Sequence, residues 1–61
     1  GNCEVWIENY RGILEYTGER ILLQAKTCQV CLEGSRLSID YYTNEDMKIS
    51  GNISALRYLR E

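Results

Sequence analysis

The residues of this chain that could carry out chemistry are few, and the most prominent are two cysteines at CxxC spacing. Cys28 and Cys31 have the spacing of a redox pair or of half a zinc site. A redox pair normally opens a helix, whereas these cysteines lead into a strand-like alternation. In an extended chain their Cα atoms lie ~10 Å apart and their side chains point to opposite faces, so they meet only if Cys28 lies in the preceding turn. Zinc needs four ligands, and only Cys3 remains to join them, so we interpret the cysteines as structural thiols.

Other kinds of catalytic site are also poorly supported. The chain contains no histidine, which removes the usual general base and the commonest metal ligand. Asp40, Glu45 and Asp46 could be read as an acid pair or a calcium site, but charged residues at a hairpin tip are normally just solvated. The five glycines stand singly, without a phosphate-binding loop. We therefore predict no catalytic residue, no cofactor and no metal, and a protein that is not an enzyme.

The size and charge of the chain narrow its class. Its 61 residues allow one domain, 1–61, which we interpret as excised from a slightly longer chain. The net charge of −2 provides no evident basic surface, so we do not expect nucleic-acid binding. No apolar run approaches the ~20 residues of a membrane span, and we expect no direct membrane insertion. Three cysteines are an odd number, which favours free thiols in a reducing cytoplasm over a secreted disulfide scaffold.

The elements that must position these residues are short strands. Apolar residues recur at every second position, which is the period of a strand with one buried face. We predict six strands, at about 3–9, 12–17, 20–27, 29–33, 36–43 and 46–59. Hairpin turns are predicted around Thr17, Gly34 and Asn44, and connections this short favour antiparallel neighbours. The predicted fold is all-β, a small antiparallel meander curled into a half-barrel or a two-layer sheet, with a short C-terminal helix as the alternative for the last segment.

Some predicted strands carry large apolar residues on both faces. Trp6, Leu22 and Tyr42 lie on the face opposite their apolar neighbours. A single-layer sheet cannot bury both of its sides, so either the sheet curls over itself or its second side meets another protein. We therefore name Trp6, Leu22 and Tyr42 as candidate interface residues.

A faint internal repeat has a spacing of seventeen residues, as from Gly34 to Gly51. The same spacing relates four apolar residues to four later ones: Val30 to Met47, Leu32 to Ile49, Ile39 to Leu56 and Tyr41 to Tyr58. A duplicated hairpin or a coincidence between two strand pairs would both produce this pattern.

Three segments of the chain together form a recognisable pattern. They are Glu8-Asn9-Tyr10-Arg11-Gly12-Ile13-Leu14-Glu15-Tyr16, then Val30-Cys31-Leu32-Glu33-Gly34 with Leu37-Ser38-Ile39, and finally Met47-Lys48-Ile49-Ser50-Gly51-Asn52-Ile53 with Leu56-Arg57-Tyr58. These segments resemble the YabP/YqfC family of sporulation proteins, and are closer to the YqfC type. The resemblance covers residues 3–59. At Thr27 and Cys28 the chain departs from it, because relatives tend to have a small turn residue there.

The resemblance implies a small cytoplasmic protein of endospore formation that contacts other spore-assembly proteins, with no catalytic residues to carry over. Together with the two-faced strands, it leads us to expect a non-enzymatic structural or assembly module that forms homo-oligomers. The alternative is a small OB-like barrel that binds a nucleic acid or a small ligand. That alternative needs a basic groove, which folding would have to assemble from scattered arginines, namely Arg11, Arg20, Arg36, Arg57 and Arg60.

Overall fold

A computed structural model describes residues 3–60, which form one open, antiparallel, five-stranded sheet. The strands are β1 (Cys3–Glu8), β2 (Gly12–Tyr16), β3 (Arg20–Gln24), β4 (Cys28–Tyr42) and β5 (Asp46–Arg60). Their order across the sheet is β1-β5-β4-β3-β2. The predicted all-β antiparallel fold is confirmed. The C-terminal segment is strand up to Arg60, so the alternative of a C-terminal helix is wrong.

The prediction of six strands is corrected to five, because the predicted turn at Gly34 is a bend within one strand. β4 runs through this position without reversing, and β5 accompanies it on both sides, with Ser35 opposite Asn52. The pairing register shifts between Glu33 and Gly34 and again before Ser38. Arg36, within the bend, has a positive φ of 54°. Glycine, serine and residues of positive φ occur in bulges as well as in turns. The other two predicted hairpins are confirmed, between β2 and β3 and between β4 and β5.

Two glycines let β4 and β5 cross the bend in close contact. A Cβ atom on Gly34 would overlap the carbonyl oxygen of Asn52. Gly51 has a φ of 138°, and a Cβ atom there would lie 2.5 Å from the carbonyl oxygen of Arg36. Each long strand therefore has a glycine where its neighbour's backbone approaches, because no larger residue fits.

The bend divides the sheet into two halves that enclose one core. One half contains β3 with residues 28–33 of β4 and 55–60 of β5, and the other contains β1 with 46–51 of β5 and 38–42 of β4. The core draws its buried side chains from both halves, from the bend of β4 and from the loop after β1: Tyr10, Ile21, Leu23, Val30, Leu32, Leu37, Met47 and Ile49. We call the opposite side of the sheet the outer face.

Hydrogen bonds between distant segments hold the sheet in this curled shape. The Leu37 N–H donates to the carbonyl of Gly18 at 2.8 Å, so the β2–β3 turn is fixed to the bend of β4. The Ile39 N–H donates to the hydroxyl oxygen of Tyr16 at 3.0 Å. The Tyr10 hydroxyl donates to the carbonyl of Thr43, which joins the loop after β1 to the β4–β5 turn. No helix with the length and apolarity needed to cross a bilayer is found in residues 3–60.

Candidate interaction surface

Trp6 stands on the outer face in a row that crosses three strands. It lies opposite Lys48 of β5, which in turn lies opposite Tyr41 of β4. Cross-strand partners share a face, so the three side chains are neighbours. The Trp6 and Tyr41 rings have centroids 5.8 Å apart at 66°, an edge-to-face contact, and the Lys48 ammonium lies 5.4 Å from the Trp6 ring centroid. We call the side chains of Trp6, Tyr41 and Lys48 the aromatic face.

Ion pairs fix Lys48 in this position. Its Nζ lies 3.0 Å from Oε2 of Glu4 and 3.8 Å from Oδ2 of Asp40. The Ser50 hydroxyl donates to Oδ1 of Asp40 at 3.0 Å. The hydrogen bond to Glu4 raises the pKa of Lys48 above its ordinary value, and partial desolvation opposes this without cancelling it. Lys48 therefore stays charged beside the indole, and Trp6 is held in place although 60% of its surface is exposed.

Tyr42 is exposed, but it does not lie on the aromatic face. The register of β4 and β5 shifts between Ile39 and Tyr41, so Asp40 is an extra residue that changes the alternation. As a result Tyr41 takes the position beside Trp6, and Tyr42 lies opposite the buried Met47. Whether Tyr42 belongs to an interface remains a prediction. The tyrosine whose ring contacts Trp6 is Tyr41.

Leu22 of β3 lies in the half of the sheet that does not contain Trp6. It is half-buried and lies opposite Cys31, which lies opposite Arg57. Arg20, two residues before Leu22, contacts the Cys31 thiol and Glu15, and both contacts raise the pKa of the guanidinium, the thiol more strongly. Leu22 is thus surrounded by charged side chains and is less exposed than Trp6, and its role in an interface stays a prediction.

The cysteines at CxxC spacing are both in β4 and point to opposite faces. Cys28, the first residue of the strand, is half-buried and packs against the core. Cys31 is buried on the outer face between Leu22 and Arg57. Neither forms a disulfide. The expectation that these side chains diverge in an extended chain is confirmed, since Cys28 lies in β4 and not in the preceding turn.

Some of the charged residues singled out from the sequence form ion pairs, in each case with a residue that was not singled out. Arg20 lies 3.7 Å from Glu15, and Arg57 lies 3.4 Å from Glu33. Glu45 and Asp46 form a hairpin turn in which both backbone N–H groups donate to the hydroxyl of one residue, Thr43. Within residues 3–60 no group of three potential ligands could hold a metal ion. Three of the scattered arginines line separate surface pockets, Arg36 in one, Arg60 in another and Arg11 in a third. Residues 3–60 form an open sheet that is not closed into a barrel.

The arrangement is suited to binding a surface. An exposed tryptophan that is immobilised before binding loses little conformational entropy when a partner covers it, and tryptophan is among the residues enriched at the centres of interfaces. The sequence pattern found Trp6 but missed its supports, Tyr41 and Lys48. Only the pairing of β1 with β5 and the bulge at Asp40 bring those residues to it, and neither is visible in the local alternation.

Comparisons with known proteins agree with the resemblance seen in the sequence. The sequence model of the YabP family matches residues 1–61. The chain is 29% identical over 59 residues to the uncharacterized protein YqfC of Bacillus subtilis (strain 168). That alignment covers 97% of this chain and 63% of the relative, so the chain spans under two thirds of the relative's length.

Proposed function

The chain belongs to the YabP family, and from this premise we propose that it is a non-enzymatic assembly protein of bacterial endospore formation. It acts through protein–protein contacts, with other spore-assembly proteins and with further copies of itself. The proposal keeps the cytoplasmic location that the family resemblance implies.

The observation that carries this proposal is the aromatic face. Trp6 is 60% exposed, yet it is held by a ring contact to Tyr41 and by the Lys48 ammonium. An exposed large apolar residue with a fixed orientation is a typical anchor of an interface. Further exposed apolar side chains lie elsewhere on the sheet, notably Tyr42 at 64% and Tyr58 at 70%. A domain of 61 residues with a thin core gains stability when such surface is covered by a neighbour.

Sedimentation velocity over a wide range of protein concentration tests the proposal. We expect reversible self-association that Trp6→Ala weakens at least about tenfold, because the variant removes the anchor side chain. Leu14→Ala is the matched control, since Leu14 is an exposed apolar residue at 51% on β2 and lies outside the aromatic face. We expect it to associate like the wild-type protein. A wild-type protein that is monomeric at every concentration, or association that survives Trp6→Ala unchanged, would contradict the proposal.

A further inference from the structure

The two halves of the sheet are related by an approximate two-fold axis. Leu32 of β4 lies between Ile21 of β3 and Leu56 of β5, and seventeen residues later Ile49 of β5 lies between Val5 of β1 and Ile39 of β4. Ser35 and Asn52, also seventeen residues apart, pair with each other at the centre. The axis therefore exchanges β4 with β5 and β3 with β1, which is the structural counterpart of the repeat in the sequence.

β2 has no counterpart under this relation among the described strands. β3 is covered on its far side by β2, with Glu15 opposite Leu22 and Tyr16 opposite Ile21. β1, the equivalent of β3, is an edge strand, and no strand of residues 3–60 lies beside it on the side away from β5. The two-fold relation thus marks a sixth position beside β1 that no strand of residues 3–60 occupies, for a strand that runs antiparallel to β1. The side chains next to this position are equivalent to those that β2 covers: Trp6 replaces Leu22, and Val5 replaces Ile21.

β1 has an acid at the position where β3 has a base. In the occupied half, Arg20 of β3 forms an ion pair with Glu15 of β2 at 3.7 Å. The equivalent of Arg20 is Glu4, whose side chain is 61% exposed and already accepts Lys48 on one oxygen. β1 contains a second acid, Glu8, and no base, and Glu8 lies directly opposite Asp46, an unfavourable pair of like charges. A strand with a lysine or arginine in the place of Glu15 would lie opposite Trp6 and reach Glu4.

We propose that the β1 edge, residues 4–8, binds an extended segment of a partner protein in which a basic residue stands between two apolar residues. The segment adds antiparallel to β1, its backbone completes the ladder, its base pairs with Glu4 across Trp6, and its apolar residues cover Val5 and Ile7. Val5 and Ile7 are only partly buried and already pack against the core, so this cover extends it. A second copy of β1 fits less well, because it adds two further acids and no base. This inference rests on the proposed function and names a partner chemistry for it.

Two peptides that copy residues 9–17 of the chain serve as probes, one with the native Glu15 and one with Glu15→Lys. Trp6 is the single tryptophan of the protein, and the peptides contain none, so its fluorescence reports cover of the β1 edge. We expect the lysine peptide to shift the Trp6 emission to shorter wavelength and to bind at least about tenfold more tightly than the glutamate peptide. Deuterium exchange should slow at the amides of β1.

Charge exchange in the protein makes the test specific. Glu4→Lys should reverse the preference between the peptides, and the gentler Glu4→Gln should remove it. Glu19→Lys is the matched control, because Glu19 is exposed in the β2–β3 turn and the same change of net charge there should leave the preference intact. Circular dichroism establishes that each variant is folded before it is compared.

The inference would be overturned by no response to the lysine peptide at millimolar concentration, by equal binding of both peptides, or by a preference that Glu4→Lys leaves unchanged. Concentration-dependent protection of β1 that the lysine peptide does not displace would assign the edge to a second copy and would also overturn it. If the peptides fail while self-association still depends on Trp6, only strand addition is refuted. If neither peptide binding nor Trp6-dependent self-association is observed, both strand addition and the proposed function are refuted.

Discussion

Replacing either bend glycine by alanine should destabilise the protein far more than the same change at its other glycines. Gly34 and Gly51 lie where the backbones of β4 and β5 touch across the bend. A methyl group on Gly34 meets the carbonyl of Asn52, and one on Gly51 meets that of Arg36 at 2.5 Å. Backbone atoms cannot rotate out of the way as a side chain can, so relief requires the two long strands to separate.

The size of the effect follows from two costs. At Gly51, a φ of 138° is strained for any residue with a Cβ atom, which costs about 1–3 kcal/mol. Overpacking against the neighbouring backbone adds about 1–3 kcal/mol. The total of about 2–6 kcal/mol compares with a stability of about 3–9 kcal/mol for a domain of 61 residues, at 0.05–0.15 kcal/mol per residue. Gly51→Ala should therefore remove about half or more of the folding stability, and Gly34→Ala should lower the stability by the overpacking cost at least.

Urea denaturation followed by Trp6 fluorescence and circular dichroism measures these changes. Gly12 and Gly18 provide matched controls, because a Cβ atom on either would meet no atom within 4 Å. We expect Gly18→Ala to be neutral or to stabilise slightly, since alanine restricts the unfolded chain. Free energies of unfolding of Gly34→Ala and Gly51→Ala within about 0.5 kcal/mol of that of the wild-type protein would refute the reasoning, because they would mean that β4 and β5 do not approach each other as described.

The remaining predictions concern the core, a buried hydroxyl and the charge beside Trp6. Ile49→Ala should lower the free energy of unfolding by about 2–5 kcal/mol in urea titration, because it opens a cavity at a fully buried site, and a loss below 1 kcal/mol would contradict that burial. Tyr10→Phe should cost about 1 kcal/mol through loss of the hydrogen bond to Thr43, and an unchanged urea midpoint would argue against that bond. The raised pKa of Lys48 stabilises the fold below its ordinary value of 10.5, and this contribution is lost as pH rises through the higher pKa of the folded state. The difference in urea midpoint between wild type and Glu4→Gln should therefore shrink from pH 8 to pH 11.5, and a constant difference would exclude the linkage.

The fold could be predicted from the sequence as far as local rules reach. Alternating apolar residues and the turns at Thr17 and Asn44 predicted antiparallel hairpins, because pattern and turn chemistry act over a few residues. The prediction of a sixth strand was wrong because the glycine and serine at 34–35 fit a bend within a strand as well as a turn. The choice depends on Asn52 of β5, a long-range contact that the local pattern does not contain.

The site could be predicted only in part, for a related reason. Trp6 was recognised because it interrupts an apolar alternation, and its exposure is evident in the structure. Tyr42 was preferred to Tyr41 because strict alternation was assumed, whereas the extra residue Asp40 exchanges their faces. Lys48 and Glu4 carried no signal, since charged residues on a strand are ordinary, and only the pairing of β1 with β5 joins them. The spacing of seventeen residues was the one long-range signal available, and the register of β4 and β5 follows it.

Photo-crosslinking from position 6 tests most directly whether this protein works through contact with other proteins. Trp6 would be replaced by benzoylphenylalanine in the full-length protein, and the same group at Leu14 would serve as the control in cells that are forming endospores. We predict adducts with this protein or with a defined second protein from position 6 and none from position 14, identified by mass spectrometry. Absence of adducts from position 6, or the same adducts from both positions, would contradict the account.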